Sequence, residues 1–409
     1  MSAAPSEAAL AIAGGAPLRT EPFAPWPSFA EDEIEAAVRV LASGRVNYWT
    51  GEEGRRFEEE FAAATGREHV VALANGSVAL ELALYAMGIG KNGDDEVIVP
   101  ARSFIASASC VVLRGATPVF ADVDRESQNL TSETVAAVLS PKTKAILAVH
   151  LAGWPCEMDS LVALARQHNL KLIEDCAQAL GSSYKGRPVG AFGELAAFSF
   201  CQDKIISTGG EGGMLVMDDE ALWNRAWSYK DHGKSFDAVY SREHAPGFRW
   251  VHESLGTNWR MTEMQSAMGR VLLKKVPERV EKRQRLAAVL REGFARHPAL
   301  RVTTPPAEFV HSYYKYGVFL RPERLKPEWN HARVLEAINA EGIPCVSGGC
   351  SEVYLEKGFP EELRPKERLQ VARELGETCL AFIVHPTLSE DDMRDTCRAV
   401  EKVLAVACL

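Results

Sequence analysis

The 409-residue sequence holds no CxxC pair, no concentration of lysine and arginine, and no apolar run approaching a membrane span. Each absence closes off a class of protein. Nine cysteines without metal-ligand spacing read as reduced thiols in a cytoplasmic protein, and they give zinc no signature. No metal site is therefore expected. A net charge of −9, from 46 Lys and Arg against 55 Asp and Glu, disfavours nucleic acid as the main partner. Phosphate binding needs concentrated basic residues, and here even the acidic ones are scattered and form no tail. The longest apolar runs, such as LAAFSF, fall far short of the roughly 20 residues a bilayer requires. The opening stretch MSAAPSEAALAIAGG lacks a basic n-region and is only briefly apolar, so neither a signal peptide nor a membrane anchor is expected. Internal repeats and low-complexity tracts are also missing.

What is present is an ordinary globular composition, 46% apolar and 25% charged, in a chain long enough for a large domain and a smaller one. Residues 1–30 read as an arm lying across something larger. From about Glu31 two helices precede an alternation of strand and helix signals. HVVAL, EVIVP, TPVFADVD, TKAILAVH and LKLIEDCA carry β-type patterns; SVALELALYAMG and SFIASASCVVLRG carry helical spacing. This rhythm predicts α/β architecture, a mostly parallel central sheet with helices on both faces, over residues 31–275. LAAFSF and GGMLVMD are short strands set close together. A polar and aromatic stretch spans Gly233 to Asn258, and one long helical region is expected from Thr262 to Arg296. The linking helix and a C-terminal α+β domain, with strands at RVTTP and YYKYGVFL, make up residues 276–409.

GIGKNG, residues 88–93, matches a dinucleotide fingerprint letter for letter. It stands in the wrong order, however, ending a helix and preceding a strand, and so reads as a helix C-cap and turn. Three other stretches carry chemistry. In ANGSVAL a strand gives way to a helix at Gly76 and Ser77, where free N–H groups and the positive helix end suit a phosphate. Taken alone, Ser77 reads as an ordinary cap. In LKLIEDCAQALG, Asp175 ends a buried strand, where a carboxylate is costly unless it meets a positive charge such as a pyridinium nitrogen. Gln178, three residues on, is placed to bond a ring substituent. In FCQDKIISTGGEGG, Lys204 lies between an apolar strand and a close-packed glycine run, and a lysine that bonds a carbonyl carbon needs such burial. Together these are the parts that pyridoxal phosphate requires.

The chain resembles the DegT/DnrJ/EryC1/StrS aminotransferases. NGSVAL, VIVPARSFIASA, PVFADVD, VHLAGWPCEMD, IEDCAQALGSSYKGRPVGAFGELAAFSF, KIISTGGEGGM, KDHG and GTNWRMTEMQSAMG occur in family order. The resemblance implies the fold of a fold type I pyridoxal-phosphate-dependent transferase. It implies that Lys204 carries the cofactor and moves the proton, that Asp175 pairs with the ring nitrogen, and that Gln178 contacts the phenolic oxygen. Gly76, Ser77 and Ser199 would hold the phosphate, and Phe104 would cover the ring. Asn258 would reach the phosphate from the neighbouring subunit of a homodimer with shared sites. Arg260 is expected at the amino donor's carboxylate, with Tyr314, Gly348 and His385 as pocket walls. His150 reads as a satisfied core histidine and Glu211 as structural.

The implied reaction moves an amino group from glutamate, or glutamine, to a nucleotide-linked keto-deoxysugar. Such a step serves amino-sugar, surface-polysaccharide (lipopolysaccharide, O-antigen) or secondary-metabolite biosynthesis. The start LAIAGGAPLRTEPFAPWP resembles aminocyclitol enzymes, so a free cyclic ketone of the inosose type is the competing acceptor. Retention of Lys204 argues against the related dehydratases, in which histidine replaces it. A non-catalytic relative that only binds the cofactor is the alternative of another class. The stretch between KDHG and GTNWRM is long, and Arg242, His244 and Arg249 on it are expected to meet a diphosphate.

Overall fold

The computed structural model describes residues 7–409; the first six residues of the expected arm, within the stretch read for a signal peptide, lie outside the described residues. Seven strands build the central sheet: β1 His69–Leu73, β2 Glu96–Pro100, β3 Thr117–Ala121, β4 Thr143–Val149, β5 Lys171–Asp175, β6 Leu195–Ser199 and β7 Gly213–Met217. Their order is β1-β7-β6-β5-β4-β2-β3. All neighbours run parallel except β7, which is antiparallel to both β1 and β6. The parallel strands therefore share one C-terminal edge, and the chain leaves and re-enters the sheet at that edge between Ser199 and Gly213.

Side-chain alternation explains why β6 sits inside the molecule. Leu195 and Ala197 face one apolar cluster while Ala196, Phe198 and Phe200 face another, and none is more than 1% exposed. A strand covered on both faces reads as a continuous apolar run, as LAAFSF does. Phe198 and Phe200 pack against Phe61 with ring centroids 5.0 and 5.7 Å apart. Burial of each ring contributes about 2–3 kcal/mol, which anchors the strand that leads to Lys204.

The second sheet has four strands, β8 Leu300–Val302, β9 Tyr316–Leu320, β10 Cys345–Val346 and β11 Cys379–Phe382, in the order β8-β9-β11-β10 and all antiparallel. The strand expected at RVTTP begins one residue earlier and stops at Val302. The helical region expected to be continuous from Thr262 is two helices, Glu263–Lys274 and Val276–Phe294. Pro277 accounts for the break, because its missing N–H is harmless only in a first turn. Elements that escaped the sequence reading include the short helices Ser132–Ala136 and Phe236–Tyr240, the helix Gln370–Thr378 and strands β10 and β11. Among the described residues no helix is long and apolar enough to cross a membrane. The N-terminal arm lies on the C-terminal region: Leu10 is buried in its core, and the Arg19 N–H donates to the Glu341 carbonyl at 3.0 Å.

Candidate active site

The chemistry-bearing residues collect at the C-terminal edge of the parallel strands, around a cavity of about 830 Å³. Asn75 follows β1 in extended geometry, and its side chain accepts from the Val78 N–H at 3.0 Å, opening the helix Gly76–Met87. That cap leaves the first N–H groups of the helix facing the cavity edge. No side chain fits at the junction. A Cβ on Gly76 would stand 2.7 Å from Ser199 Cβ, and one on Gly213 would stand 2.5 Å from the Asn75 carbonyl. β1, β6 and β7 thus close on one another to form a backbone cradle that suits a phosphate.

Asp175 ends β5 and is 5% exposed. Its Oδ2 accepts from the Ser107 hydroxyl at 2.8 Å and its Oδ1 from the Ala177 N–H at 3.1 Å; Ser107 in turn meets Ser103 Oγ at 2.8 Å. Burial raises this carboxyl above its ordinary value, against the hydrogen bonds of Ser107 and Ala177 and the charge of Lys204. A carboxylate in that condition is suited to a neighbouring cation. Glu174, one residue earlier, has a different task. It accepts from the N–H groups of Gly190, Phe192 and Gly193 at 2.7–2.8 Å and from His150 Nε2 at 3.0 Å. His150 Nδ1 accepts from the Cys156 N–H, so both ring nitrogens are occupied. The compact group His150, Glu174 and Cys176 is held by these bonds as a structural clamp.

Lys204 lies in the excursion between β6 and β7, its side chain 15% exposed. Nζ stands 3.4 Å from Asp203 Oδ1 and 3.4 Å from the Tyr314 hydroxyl, which hydrogen-bonds Asp203. Burial works to raise Asp203, but Lys204 and Tyr314 outweigh it and hold the carboxyl below its usual range. Burial and the Asp203 charge push the Tyr314 phenol up, so it remains a donor. Trp26 from the arm donates its indole N–H to the Lys204 carbonyl at 3.1 Å.

Gln178 Oε1 accepts from the Ala152 N–H at 2.7 Å, which leaves its Nε2 end as the donor. Phe104 stands at the cavity rim, 62% exposed, and is not core packing. The structure therefore brings together Gly76, Ser77, Phe104, Asp175, Gln178, Ser199, Lys204, Tyr314 and Gly348. Glu211 also lines this cavity, while its backbone carbonyl is tied to Thr208 and Gln265.

Other expected residues lie elsewhere. Arg260 pairs with buried Asp231 at 2.7 Å behind the end of β1, away from its own chain's cavity. Asn258 bridges to Asp231 and likewise does not line that cavity. His385 lies in a neighbouring cavity, stacked on Trp26 with centroids 5.8 Å apart. Arg242 pairs with Asp237 and Glu253, and Arg249 and His244 bond carbonyls of Ala238 and Val239. All three are thus satisfied within their own loop. The sequence reading missed Ser107, Asp203 and Arg102. Ser107 stands one helical turn after Phe104 and Asp203 abuts Lys204. Arg102 is a charge just past a buried strand, the same signal that marked Asp175.

Pyridoxal phosphate fits the residues present, with a side-chain-free cradle for the phosphate, a buried carboxylate for the ring nitrogen and a shielded amine. The site defines a pyridoxal-phosphate enzyme of fold type I. Residues 27–401 match the model of the DegT/DnrJ/EryC1/StrS aminotransferase family, and the chain belongs to that family. It is 53% identical to an aminotransferase of known structure from Psychrobacter cryohalolentis, with a TM-score of 0.92 over 94% of this chain and 99% of that one. It is 35% identical to the GDP-perosamine synthase of Caulobacter vibrioides over 87% of this chain and 92% of that one. It is 37% identical to the L-glutamine:2-deoxy-scyllo-inosose aminotransferase of Streptomyces paromomycinus, over 82% and 80%. The protein is a pyridoxal-phosphate-dependent aminotransferase whose relatives include sugar aminotransferases.

Proposed function

We propose that this aminotransferase moves the amino group of glutamate to the keto carbon of a nucleotide-linked keto-deoxysugar, as a homodimer in the cytoplasm. The observation that carries the proposal is the gathering of Lys204, Asp175 and the Gly76–Ser77 helix end around one large cavity. Similarity to GDP-perosamine synthase over most of both chains supports the acceptor class. Nine free cysteines support the reducing compartment.

When bound, pyridoxal phosphate supplies an electron sink that lets nitrogen leave an amino acid and enter a ketone. The N–H groups of Gly76 and Ser77, with the Ser199 hydroxyl, bind its phosphate. Asp175 holds a proton on the ring nitrogen, and Ser107 and Ala177 fix the carboxylate. Lys204 Nζ anchors the cofactor and then takes and returns the substrate's proton. Asp203 and Tyr314 orient that amine, and Phe104 covers the site from the rim.

The homodimer is supported by side chains that have no task within one copy. Phe248, Trp250 and Leu255 are 75%, 81% and 90% exposed on the loop that precedes Asn258. Apolar groups of that size are suited to a partner surface, and Asn258 would then serve the neighbouring site. A second reading, a free cyclic ketone as acceptor with glutamine as donor, is favoured by the inosose aminotransferase relative.

The test is a screen of nucleotide-linked 3- and 4-keto-deoxysugars and of inososes, each with glutamate and with glutamine, read by mass spectrometry. Turnover of a keto-sugar nucleotide with glutamate is expected, and the Lys204→Ala variant should give none. Turnover of inososes alone would establish the second reading. Protein that loads the cofactor but aminates nothing would leave only a binding role.

A further inference from the structure

Arg102 follows β2 and is 1% exposed, yet it lines the same cavity as Lys204 and Asp175. Its Nε donates to Gln128 Oε1 at 2.8 Å and its Nη1 to the Ser351 hydroxyl. Both partners are neutral, and no carboxylate pairs with Arg102 among residues 7–409. Arg67, Arg260 and Arg301, by contrast, each have an acidic partner. A buried guanidinium with only neutral neighbours is costly, and an entering anion offsets that cost.

The cavity wall around Arg102 is built from small residues, Gly317, Gly348, Gly349, Cys379 and Ala381. Gly348 has φ +86°, and Arg102 packs against it so closely that a Cβ there would lie 2.9 Å from Nη2. Gly317 pairs with Ala381 across β9 and β11, and Cys379 lies on the same face two residues before Ala381. Lys315, which stands over the Tyr314 ring and feels the charge of Asp203, also lines the cavity. Small side chains thus flank the arginine in the wall of the cavity.

We propose that this part of the cavity takes the amino donor, with Arg102 binding its carboxylate. Every amino-acid donor carries a carboxylate, and the guanidinium fork matches it. Arg260, expected at this task from the sequence, is neutralised by Asp231 outside the cavity. The inference rests on the reading that an amino acid is the donor.

The experiment separates the two half-reactions of the loaded enzyme by stopped-flow absorbance. One is bleaching by glutamate or glutamine, and the other is recovery of colour by the keto acceptor after loading with pyridoxamine phosphate. Arg102→Gln should raise the donor concentration for half-maximal bleaching about 100-fold and leave the acceptor half-reaction within about twofold. Arg102→Lys should fall between Arg102→Gln and wild type. Equal slowing of both halves would mark a structural role and overturn the proposal, as would an effect on the acceptor half alone. Glutarate binding, followed by calorimetry on the apoprotein, gives a second measurement. Wild type should bind and Arg102→Gln should not; equal binding refutes the site. If neither amino acid bleaches the wild type, the donor reading fails, while glutarate still tests Arg102.

Discussion

Asp175 is in the wrong environment for an ion unless a cation joins it, and the apoprotein should register the difference. The Asp175→Asn variant keeps the shape and removes the charge. Its Oδ1 can still accept from the Ala177 N–H, and its Nδ2 can donate to Ser107, which then turns to donate to Ser103. No hydrogen bond need be lost, so the desolvation cost of the carboxylate is what disappears. That cost is about 1–3 kcal/mol for a well-bonded buried group. In a chain of this length it corresponds to a melting temperature about 1–3 °C higher. The sign follows from the shift: burial raises the folded carboxyl above its ordinary 3.8, so the native state binds the proton more tightly than the unfolded chain. Wild-type stability therefore falls as pH rises through that window. The variant's advantage should be complete at neutral pH and gone below about 3.8. Differential scanning fluorimetry of both apoproteins across a pH series measures it. The loaded variant should transaminate at least about 100-fold more slowly. A variant apoprotein less stable than wild type at neutral pH, or a gain indifferent to pH, would refute the reasoning.

Glu174 should behave in the opposite way. Burial opposes its ionisation, but His150 and the N–H groups of Gly193 and Gly190 outweigh it and lower the carboxyl below 4.5. Its stabilisation is therefore full above that value and lost as pH falls through the folded one. Glu174→Gln sets an amide N–H against backbone donors and should cost about 3–5 kcal/mol at neutral pH. Thermal unfolding at neutral and acid pH should show the difference shrink on acidification. If the proposed homodimer shares its sites, mixing Lys204→Ala with Asn258→Ala protein should restore activity, to about a quarter of wild type, because a mixed dimer would hold one complete site. Recovery of nothing would place Asn258 outside the partner's site.

Much of this architecture was legible because strand burial leaves a direct mark. LAAFSF and EVIVP are apolar on both faces, so their place in a covered sheet could be read from residue types alone. Asp175 was legible for the same reason, as a charge ending such a run. Arg102 bears the same mark after EVIVP and passed unread, since its meaning depends on what stands opposite. That neighbour is Gly348, far along the chain just after β10, and nothing local announces it. Strand β11 was missed because CLAF is only four residues long and owes its place to pairing with β9 and β10. The break at Lys275 was readable from Pro277, and the helical periodicity on either side masked it. Arg260 shows the limit from the other side, because sequence cannot tell that Asp231 already holds it.

The bond from Trp26 to the carbonyl of Lys204 joins positions 178 residues apart. Tyr314, against the same lysine, comes 110 residues later still. On the ribosome, then, the cradle at Gly76 and the carboxylate at Asp175 emerge well before the amine's environment exists. A nascent chain short of Tyr314 holds every sheet strand of the cradle but no complete lysine pocket. The surroundings of Lys204 are thus completed only when the arm around Trp26 and the segment around Tyr314 have both closed on the central sheet.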